Sequence, residues 1–172
     1  LKGCMIMNYM TIKEFDIANG IGVRVSLFVS GCRHHCKGCF NQEAWPFDAG
    51  QPYTKETQEH IINLLKQRYI SGLSLLGGEP FEPENQEVLY PLLEKVKETY
   101  NNKDIWCYTG FTLEELKDRN NSITNKMLAM IDTLVDGRFE EDKKDIMLKY
   151  RGSSNQRIWM KNWKEEFKTK TY

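Results

Sequence analysis

The sequence has no apolar run that approaches the roughly 20 residues needed to span a membrane, and it has no long basic run. Its 24 Lys and Arg residues balance 24 Asp and Glu residues, which gives a formal net charge of zero. Without a basic stretch, nucleic-acid binding is not expected. Internal repeats and low-complexity segments are also absent. Because 40% of the 172 residues are hydrophobic, they suffice for a sizeable core, and we expect a single domain over residues 1–172.

Cysteine is sparse: the chain has five, and three of them fall in one loop. An odd number of cysteines, in a sequence without a recognisable signal peptide, argues against a disulfide framework. We therefore expect free thiols in a reducing, cytoplasmic setting. Residues 1–6, before Met7, are a candidate non-native start, and residues 161–172 form a tail without an assigned role.

The loop cysteines are Cys32, Cys36 and Cys39, at C-x3-C-x2-C spacing. A 4Fe–4S cluster normally takes four cysteine ligands, so three thiolates leave one iron without a protein ligand. Such an open position is typical of a working metal site rather than of a closed structural one. A bacterial ferredoxin run would supply a further cysteine followed by proline, whereas Phe40 and Asn41 follow Cys39 here.

A structural zinc site is the alternative for this loop, and it would need a fourth ligand. The candidates are Cys4, His34, His35, His60 and Cys107. Ring closure with all three thiolates would be cramped for the two histidines inside the loop, and we expect both to be solvated. Cys107 matches the pattern of a small hydrophobic residue buried on a strand.

A second motif, Gly-Gly-Glu-Pro at residues 77–80, follows the apolar segment 73–76. The apolar segment predicts a buried strand, and the glycines predict a turn at its end. Glycine lets the backbone approach a ligand closely, so this turn is a candidate binding segment. Taken alone, an ordinary turn between a strand and a helix is the better explanation.

Strand and helix patterns alternate along the chain. The predicted strands are 23–30, 73–76, 104–108, 133–136 and 157–160, and the predicted helices are 54–69, 88–100, 113–117 and 123–131. Thr54 is the expected N-cap of the first helix, and Pro91 is expected in the first turn of a helix. This alternation predicts an α/β fold, a partial (β/α) barrel of parallel strands with both motifs at their carboxyl ends. A closed eight-stranded barrel needs about 250 residues, so we expect one side to be open.

The cysteine triplet, with an aromatic residue after its third cysteine and with Gly-Gly-Glu-Pro further along, resembles the signature of the radical S-adenosylmethionine (radical SAM) superfamily. The resemblance implies that Cys32, Cys36 and Cys39 bind three irons of one 4Fe–4S cluster. It implies that the amino and carboxylate groups of S-adenosylmethionine chelate the fourth iron. The implied fold is a barrel of the radical SAM type.

The same resemblance assigns contacts with S-adenosylmethionine. Its aminoacyl end is expected at Gly77, Gly78 and Glu79, with the Glu79 carboxylate pairing with the ammonium group. In the cysteine loop, the implied cofactor contacts are Gly38, Cys39 and Phe40.

Longer strings narrow the resemblance to the glycyl-radical activating enzymes, and within them to the activators of anaerobic ribonucleoside-triphosphate reductases. The strings are 19–22, 28–32, 41–45, 105–111, 135–139 and 151–156, within a match over about residues 7–160. The implied reaction is reductive cleavage of S-adenosylmethionine, after which a 5′-deoxyadenosyl radical takes a hydrogen atom from a glycine Cα of the reductase. The implied electron donor is flavodoxin or a similar protein. No side-chain base is required, so no catalytic residue is nominated.

Two other functions stay open at this point. One is a radical SAM enzyme that acts on a small molecule, and the other is a non-enzymatic iron–sulfur or zinc protein. An open barrel side favours a macromolecular substrate that covers it. The resemblance assigns the polar loop 151–157 to contact with the reductase, whereas composition alone favours a solvated loop.

Overall fold

The computed structural model describes residues 6–162 and 166–172 of the chain; Cys4 and the rest of segment 1–5 lie outside them. The described strands are β1 (Asn8–Asp16), β2 (Val23–Val29), β3 (Gln51–Pro52), β4 (Ile70–Gly77), β5 (Asp104–Tyr108), β6 (Thr133–Asp136), β7 (Arg157–Lys161) and β8 (Phe167–Lys170). The described helices are α1 (Lys55–Leu64), α2 (Pro83–Thr99), α3 (Leu113–Asp118) and α4 (Ser122–Met130). None of these helices is long and apolar enough to cross a membrane.

One mixed sheet of eight strands organises the described residues, in the order β3-β1-β2-β4-β5-β6-β7-β8. The four central strands, β2, β4, β5 and β6, are parallel, as predicted. The outer strands are antiparallel, so the expectation that every strand is parallel is wrong, including the one for 157–160. Parallel neighbouring strands must be joined by a crossover connection. The four described α-helices all lie between β2 and β6 in the sequence, where these crossovers are needed. Within the described residues the sheet does not close into a barrel.

The two faces of the central strands have different partners, because side chains alternate along a strand. On one face, Leu27, Leu75 and Cys107 are fully buried in the main hydrophobic core, together with apolar residues of the helices. The prediction that Cys107 is a buried strand residue is confirmed. On the other face, Trp106 belongs to a separate small cluster. The candidate site lies on this second face.

Two helix boundaries differ from the sequence-based expectation. Thr54 caps α1 as predicted, since its side chain accepts a hydrogen bond from the Thr57 amide, but the helix ends at Leu64 rather than at residue 69. Tight turns at residues 63–70 then lead into β4. The second helix, α2, begins at Pro83 rather than at residue 88. Pro91 therefore lies in the helix interior, and its expected position in a first turn is wrong.

Candidate functional site

A cavity of about 460 Å³ opens on the sheet face opposite the helices. All three loop cysteines line it, together with Gly77, Gly78 and residues at the ends of β5 and β6. Its volume lies within the range of about 300–1,000 Å³ that is usual for small-molecule sites. The two sequence motifs are therefore brought together in one cavity, at the carboxyl ends of parallel strands.

The cysteine loop directly follows β2 and is held by its backbone. The Gly31 amide donates to the Ala44 carbonyl at 2.7 Å, and the Cys32 amide donates to the Trp45 carbonyl at 3.0 Å. Within the loop, the Cys39 amide donates to the Cys36 carbonyl at 3.1 Å. The three thiols are partly exposed and are not in disulfides.

The three thiols that line the cavity are candidate ligands for a polynuclear cluster. Among the residues that the structure describes, no group of three or more His, Cys, Asp or Glu side chains is placed to hold a single metal ion. In a cubane cluster each thiolate binds a different iron, so the sulfurs need not converge on one point. Three thiols around one cavity would supply ligands for three irons of such a cluster and leave one iron without a cysteine ligand.

The protonation of these thiols also depends on their surroundings. Burial, and to a smaller extent the nearby Glu79 and Glu82 carboxylates, raises the pKa of Cys32 to about 12. Burial likewise raises the pKa of Cys36. Both thiols therefore bind their protons at neutral pH, and metal must displace those protons when the site is loaded.

Arg33 fixes the cysteine loop to the start of α2. Its backbone amide donates to Glu82 Oε1 at 2.8 Å, and its guanidinium pairs with Glu82 and Glu84, each at 2.5 Å. The guanidinium also lies over the Phe47 ring, 4.4 Å from its centroid. The loop is thus anchored to the element that follows the Gly-Gly-Glu-Pro turn.

The two loop histidines have different environments. The His34 side chain is only 7% exposed, its Nε2 lies 2.8 Å from Glu79 Oε2, and its ring packs edge-on against Phe111. The prediction that His34 is solvated is therefore wrong, because a buried carboxylate lies within hydrogen-bonding distance of its ring. His35 is exposed, as predicted, and its ring stacks on Trp45 with centroids 4.3 Å apart.

The glycine turn after β4 packs directly against β2 and the cysteine loop. Gly77 has a φ of +108°, and a β-carbon there would stand 2.6 Å from the Val29 nitrogen. The Gly78 amide donates to the Val29 carbonyl at 2.7 Å. A β-carbon on Gly78 would stand 2.5 Å from the Gly31 carbonyl oxygen. Both glycines are therefore required by close backbone contacts, in addition to lining the cavity.

Glu79 is buried, at 1% exposure, and its carboxylate accepts hydrogen bonds from several segments. One oxygen accepts from the Phe81 amide at 2.9 Å and from the Thr109 hydroxyl at 2.8 Å. The other accepts from the Gly110 amide at 2.7 Å and lies next to His34. A carboxylate offers about four lone-pair positions. The predicted pairing with an ammonium group would therefore have to displace one of these contacts.

The remaining predicted contacts in the loop are only partly placed at the cavity. Phe40 lines it and packs against Phe139, with centroids 5.1 Å apart. Gly38 is not among the lining residues. Its φ is +72°, and a β-carbon there would stand 2.8 Å from a Glu141 carboxylate oxygen. Gly38 therefore has a conformational role in the loop, and its contact with S-adenosylmethionine stays a prediction.

Sequence reasoning missed Tyr108, which lines the cavity from the end of β5. Its hydroxyl is buried and has no hydrogen-bond partner among the described residues. Burial raises the pKa of Tyr108, so the phenol keeps its proton and can donate. Strand alternation supplies the signal: with Cys107 in the core, the next side chain faces the cavity.

The loop between β6 and β7 covers another side of the cavity, where Arg151 and Gln156 are lining residues. The Arg151 guanidinium donates to the Gln156 carbonyl at 2.6 Å and to the Ser154 carbonyl at 3.3 Å. The Gln156 side chain accepts from the Gly152 amide and donates to the Gly137 carbonyl. Arg151 therefore shapes this loop from within.

Comparison with known proteins gives concordant matches. Residues 18–159 match the family described as "4Fe-4S single cluster domain". The chain is 45% identical to the "Anaerobic ribonucleoside-triphosphate reductase-activating protein" of Pasteurella multocida, over 89% of this chain and 97% of that protein. The protein of the same name from Vibrio cholerae is 46% identical, over 88% and 97%. That of Enterobacteria phage T4 is 39% identical, over 93% and 100%.

Proposed function

Because the chain belongs to the family of anaerobic ribonucleoside-triphosphate reductase-activating proteins, we propose that it generates a glycyl radical on such a reductase. The observation that supports this proposal best is the shared cavity. The cysteine loop and the glycine turn are far apart in the sequence, yet both line it. The reaction requires this proximity, because the cluster and S-adenosylmethionine have to meet.

We assign Cys32, Cys36 and Cys39 as the ligands of three irons of one 4Fe–4S cluster. When bound, the cluster and S-adenosylmethionine supply an electron and the 5′-deoxyadenosyl radical that removes a hydrogen atom from the glycine Cα. The protein binds and orients these groups and keeps water from them. No side chain is assigned as an acid or base.

The segment proposed to contact the aminoacyl end of S-adenosylmethionine is Gly77, Gly78 and Glu79. The glycines present backbone rather than side-chain bulk at the cavity wall. Cys39 and Phe40 line the same cavity from the cysteine loop. The Tyr108 hydroxyl, which has no partner in the part of the chain that the structure describes, adds a hydrogen-bond donor to the cavity wall.

The fold proposed is a partial barrel of the radical SAM type, open on one side. Its support is the run of four parallel strands with the site at their carboxyl ends, within a sheet that the described residues do not close. We propose that the open side admits the reductase segment that carries the glycine. Loop 151–157 borders the cavity and is the proposed contact, because small misplacements of reacting atoms reduce rates strongly.

The electron donor that we propose is flavodoxin or a similar one-electron protein, because the cluster has to be reduced before it reacts. A reducing, cytoplasmic setting is proposed for the same chemistry, since the described cysteines are all free thiols. Both proposals rest on the assigned reaction.

The direct test is formation of the radical. The protein is reconstituted with iron and sulfide without oxygen, reduced, and mixed with S-adenosylmethionine and the cognate reductase. We expect a glycyl radical in the electron paramagnetic resonance (EPR) spectrum of the reductase. Cofactor cleavage without a reductase radical would instead favour a small-molecule substrate. Failure to bind iron and sulfide would exclude both enzymatic functions.

A further inference from the structure

We propose that His34 is a positioning residue that fastens the cysteine loop to the buried carboxylate of Glu79. Through this contact the cluster ligands and the cofactor-binding turn are held as one unit. The consequence for cofactor binding rests on the function proposed above. The positioning itself is a property of the protein without cluster or cofactor.

Glu79 is the point at which three loops meet. Its own turn follows β4, Thr109 and Gly110 follow β5, and His34 belongs to the loop that follows β2. The loops after β5 and β2 place hydrogen-bonding groups within 2.8 Å of the carboxylate, and its own turn contributes the Phe81 amide at 2.9 Å. The carboxylate is 1% exposed, so these contacts are shielded from water and each contributes more than it would at the surface.

His34 is the only one of these groups that comes from the cysteine loop. It lies two residues after Cys32 and two before Cys36, so its position and those of both thiols are linked by short stretches of backbone. His34 Nε2 and Glu79 Oε2 lie 2.8 Å apart, within hydrogen-bonding distance. The contact is therefore directional and fixes the orientation of the ring.

Packing against neighbouring residues also holds the His34 ring in position. Phe111 packs edge-on against the ring, with centroids 4.3 Å apart. A β-carbon on Gly110 would stand 2.5 Å from a ring carbon of His34. Gly110 thus leaves the space that the imidazole fills, and the same glycine donates its amide to Glu79.

Removal of His34 should have a specific effect rather than a general one. Glu79 would still accept from Phe81, Thr109 and Gly110, so the turn would remain folded, but without His34 the carboxylate would be held less firmly and these contacts would open more often. Arg33 would still anchor the loop to α2. What is lost is the side-chain link between the loop interior and the turn, so iron binding should persist while cofactor binding weakens.

His35 provides a matched control in the same loop. It has the same side chain, is exposed, and stacks on Trp45 without a contact to Glu79. The conservative variant of His34 is His34→Gln, because a glutamine amide nitrogen can donate to the carboxylate from nearly the same position as Nε2.

The first experiment compares cluster-loaded wild type, His34→Ala, His34→Gln and His35→Ala. Iron content, direct binding of S-adenosylmethionine and the change in the EPR spectrum of the reduced cluster on cofactor binding are measured. We expect His34→Ala to keep its iron and to bind S-adenosylmethionine about tenfold more weakly, as expected when a buried group loses its partner. His34→Gln should recover most of that loss, and His35→Ala should resemble wild type. Wild-type or tighter binding of S-adenosylmethionine in His34→Ala would overturn the proposal, because the His34 contact would then not support cofactor binding.

The second experiment separates this proposal from the proposed function. Amide hydrogen exchange is measured in the cluster-free proteins, where no cofactor chemistry enters. We expect faster exchange at the Phe81 and Gly110 amides in His34→Ala but not in His35→Ala, because both amides donate to Glu79. Unchanged exchange at both amides would refute the positioning role. If the exchange result is positive but loaded wild type binds no S-adenosylmethionine, the positioning role is supported and the proposed function fails.

Discussion

Gly78 lies so close to Gly31 that a β-carbon on Gly78 would stand 2.5 Å from the Gly31 carbonyl oxygen and 3.0 Å from the Gly31 nitrogen. The two residues belong to the two sequence motifs, and Gly31 immediately precedes Cys32. The glycine turn and the cysteine loop are therefore in direct backbone contact. A substitution that moves the backbone of the glycine turn should therefore also move the backbone of the cysteine loop.

For this reason we expect Gly78→Ala to lower both the iron content after reconstitution and the affinity for S-adenosylmethionine. A β-carbon would push Gly31 and with it the first cysteine ligand. Gly137→Ala is a useful comparison, because a β-carbon there would meet nothing closer than 3.6 Å, although its φ of +100° adds backbone strain. If Gly78→Ala loads iron normally and loses only cofactor affinity, the cysteine loop can shift without losing iron. The two segments would then affect each other less than the structure indicates.

The assignment of the cluster ligands predicts a clear division among the cysteines. Cys32→Ala, Cys36→Ala and Cys39→Ala should each abolish cleavage of S-adenosylmethionine, because one iron loses its thiolate. Cys107→Ala should retain an active cluster, since Cys107 is fully buried in the core on the other face of the sheet. Iron analysis and cofactor cleavage are measured for all four. An active Cys36→Ala protein with normal iron content would contradict the ligand assignment.

Arg151→Ala is expected to spare cofactor cleavage in the absence of reductase and to reduce the yield of glycyl radical. The guanidinium braces the loop through the Ser154 and Gln156 carbonyls, and the loop borders the cavity. Lys149→Ala serves as the control, because Lys149 is an exposed cation of the same loop. Radical yield is compared at limiting reductase. Equal yields from Arg151→Ala and wild type would remove this loop from the functional surface.

Arg24 supplies a prediction about stability. Its side chain is fully buried, pairs with Asp104 at 2.8 Å, and donates to Ser74 and to the Leu73 carbonyl, so it links β2, β4 and β5. We expect Arg24→Met to lower the free energy of unfolding by about 2 kcal/mol. Removing one partner of a fully buried ion pair costs about 3–5 kcal/mol of stability. We expect a smaller cost here because the Asp104 side chain is 42% exposed. Urea unfolding of the cluster-free protein measures this loss of stability. Arg68→Met is the control, because Arg68 is exposed. A loss no larger than that of Arg68→Met would mean that the network contributes nothing.

The ion pair between Glu114 and Arg157 predicts a dependence on pH. A hydrogen bond from Arg157 lowers the pKa of Glu114 from 4.5 to about 2. A lowered pKa in the folded state contributes stability above pH 4.5, and that contribution is lost as the pH falls towards 2. The destabilisation caused by Glu114→Gln should therefore be small, because the pair is exposed, and should vanish in acid. Unfolding curves of wild type and Glu114→Gln between neutral and acidic pH test this prediction. A stability difference between the two proteins that grows in acid would contradict it.

How far the sequence predicts the fold depends on the element. The bounds of β5 and β6 were predicted correctly, because short apolar runs end there at polar turn residues. By contrast, β1 and β8 were missed. Most of their residues are polar and partly or fully exposed, and their position depends on pairing with neighbouring strands. Residues 163–165 of the tail lie outside the described residues, while β8 shows that the tail adds a strand.

In the candidate site, too, some residues could be predicted from local sequence and others could not. Local spacing was enough to predict that Cys32, Cys36 and Cys39 act together, and all three line the cavity. It was not enough to place His34, because the partner carboxylate of Glu79 is 45 positions further along the chain. Such contacts depend on how loops from different strands converge, and a single sequence carries no direct signal for that.

The alternation along β5 has a consequence for the metal chemistry. Cys107 lies in the dry core and Tyr108 faces the cavity. A slip of this strand by one residue would exchange the two faces and bring a fourth thiol to the cavity. In a cluster bound as proposed, an additional thiolate would compete with S-adenosylmethionine for the fourth iron. The pairing of Cys107 with Leu75 and Leu134 fixes the register that keeps this thiol away from the cavity.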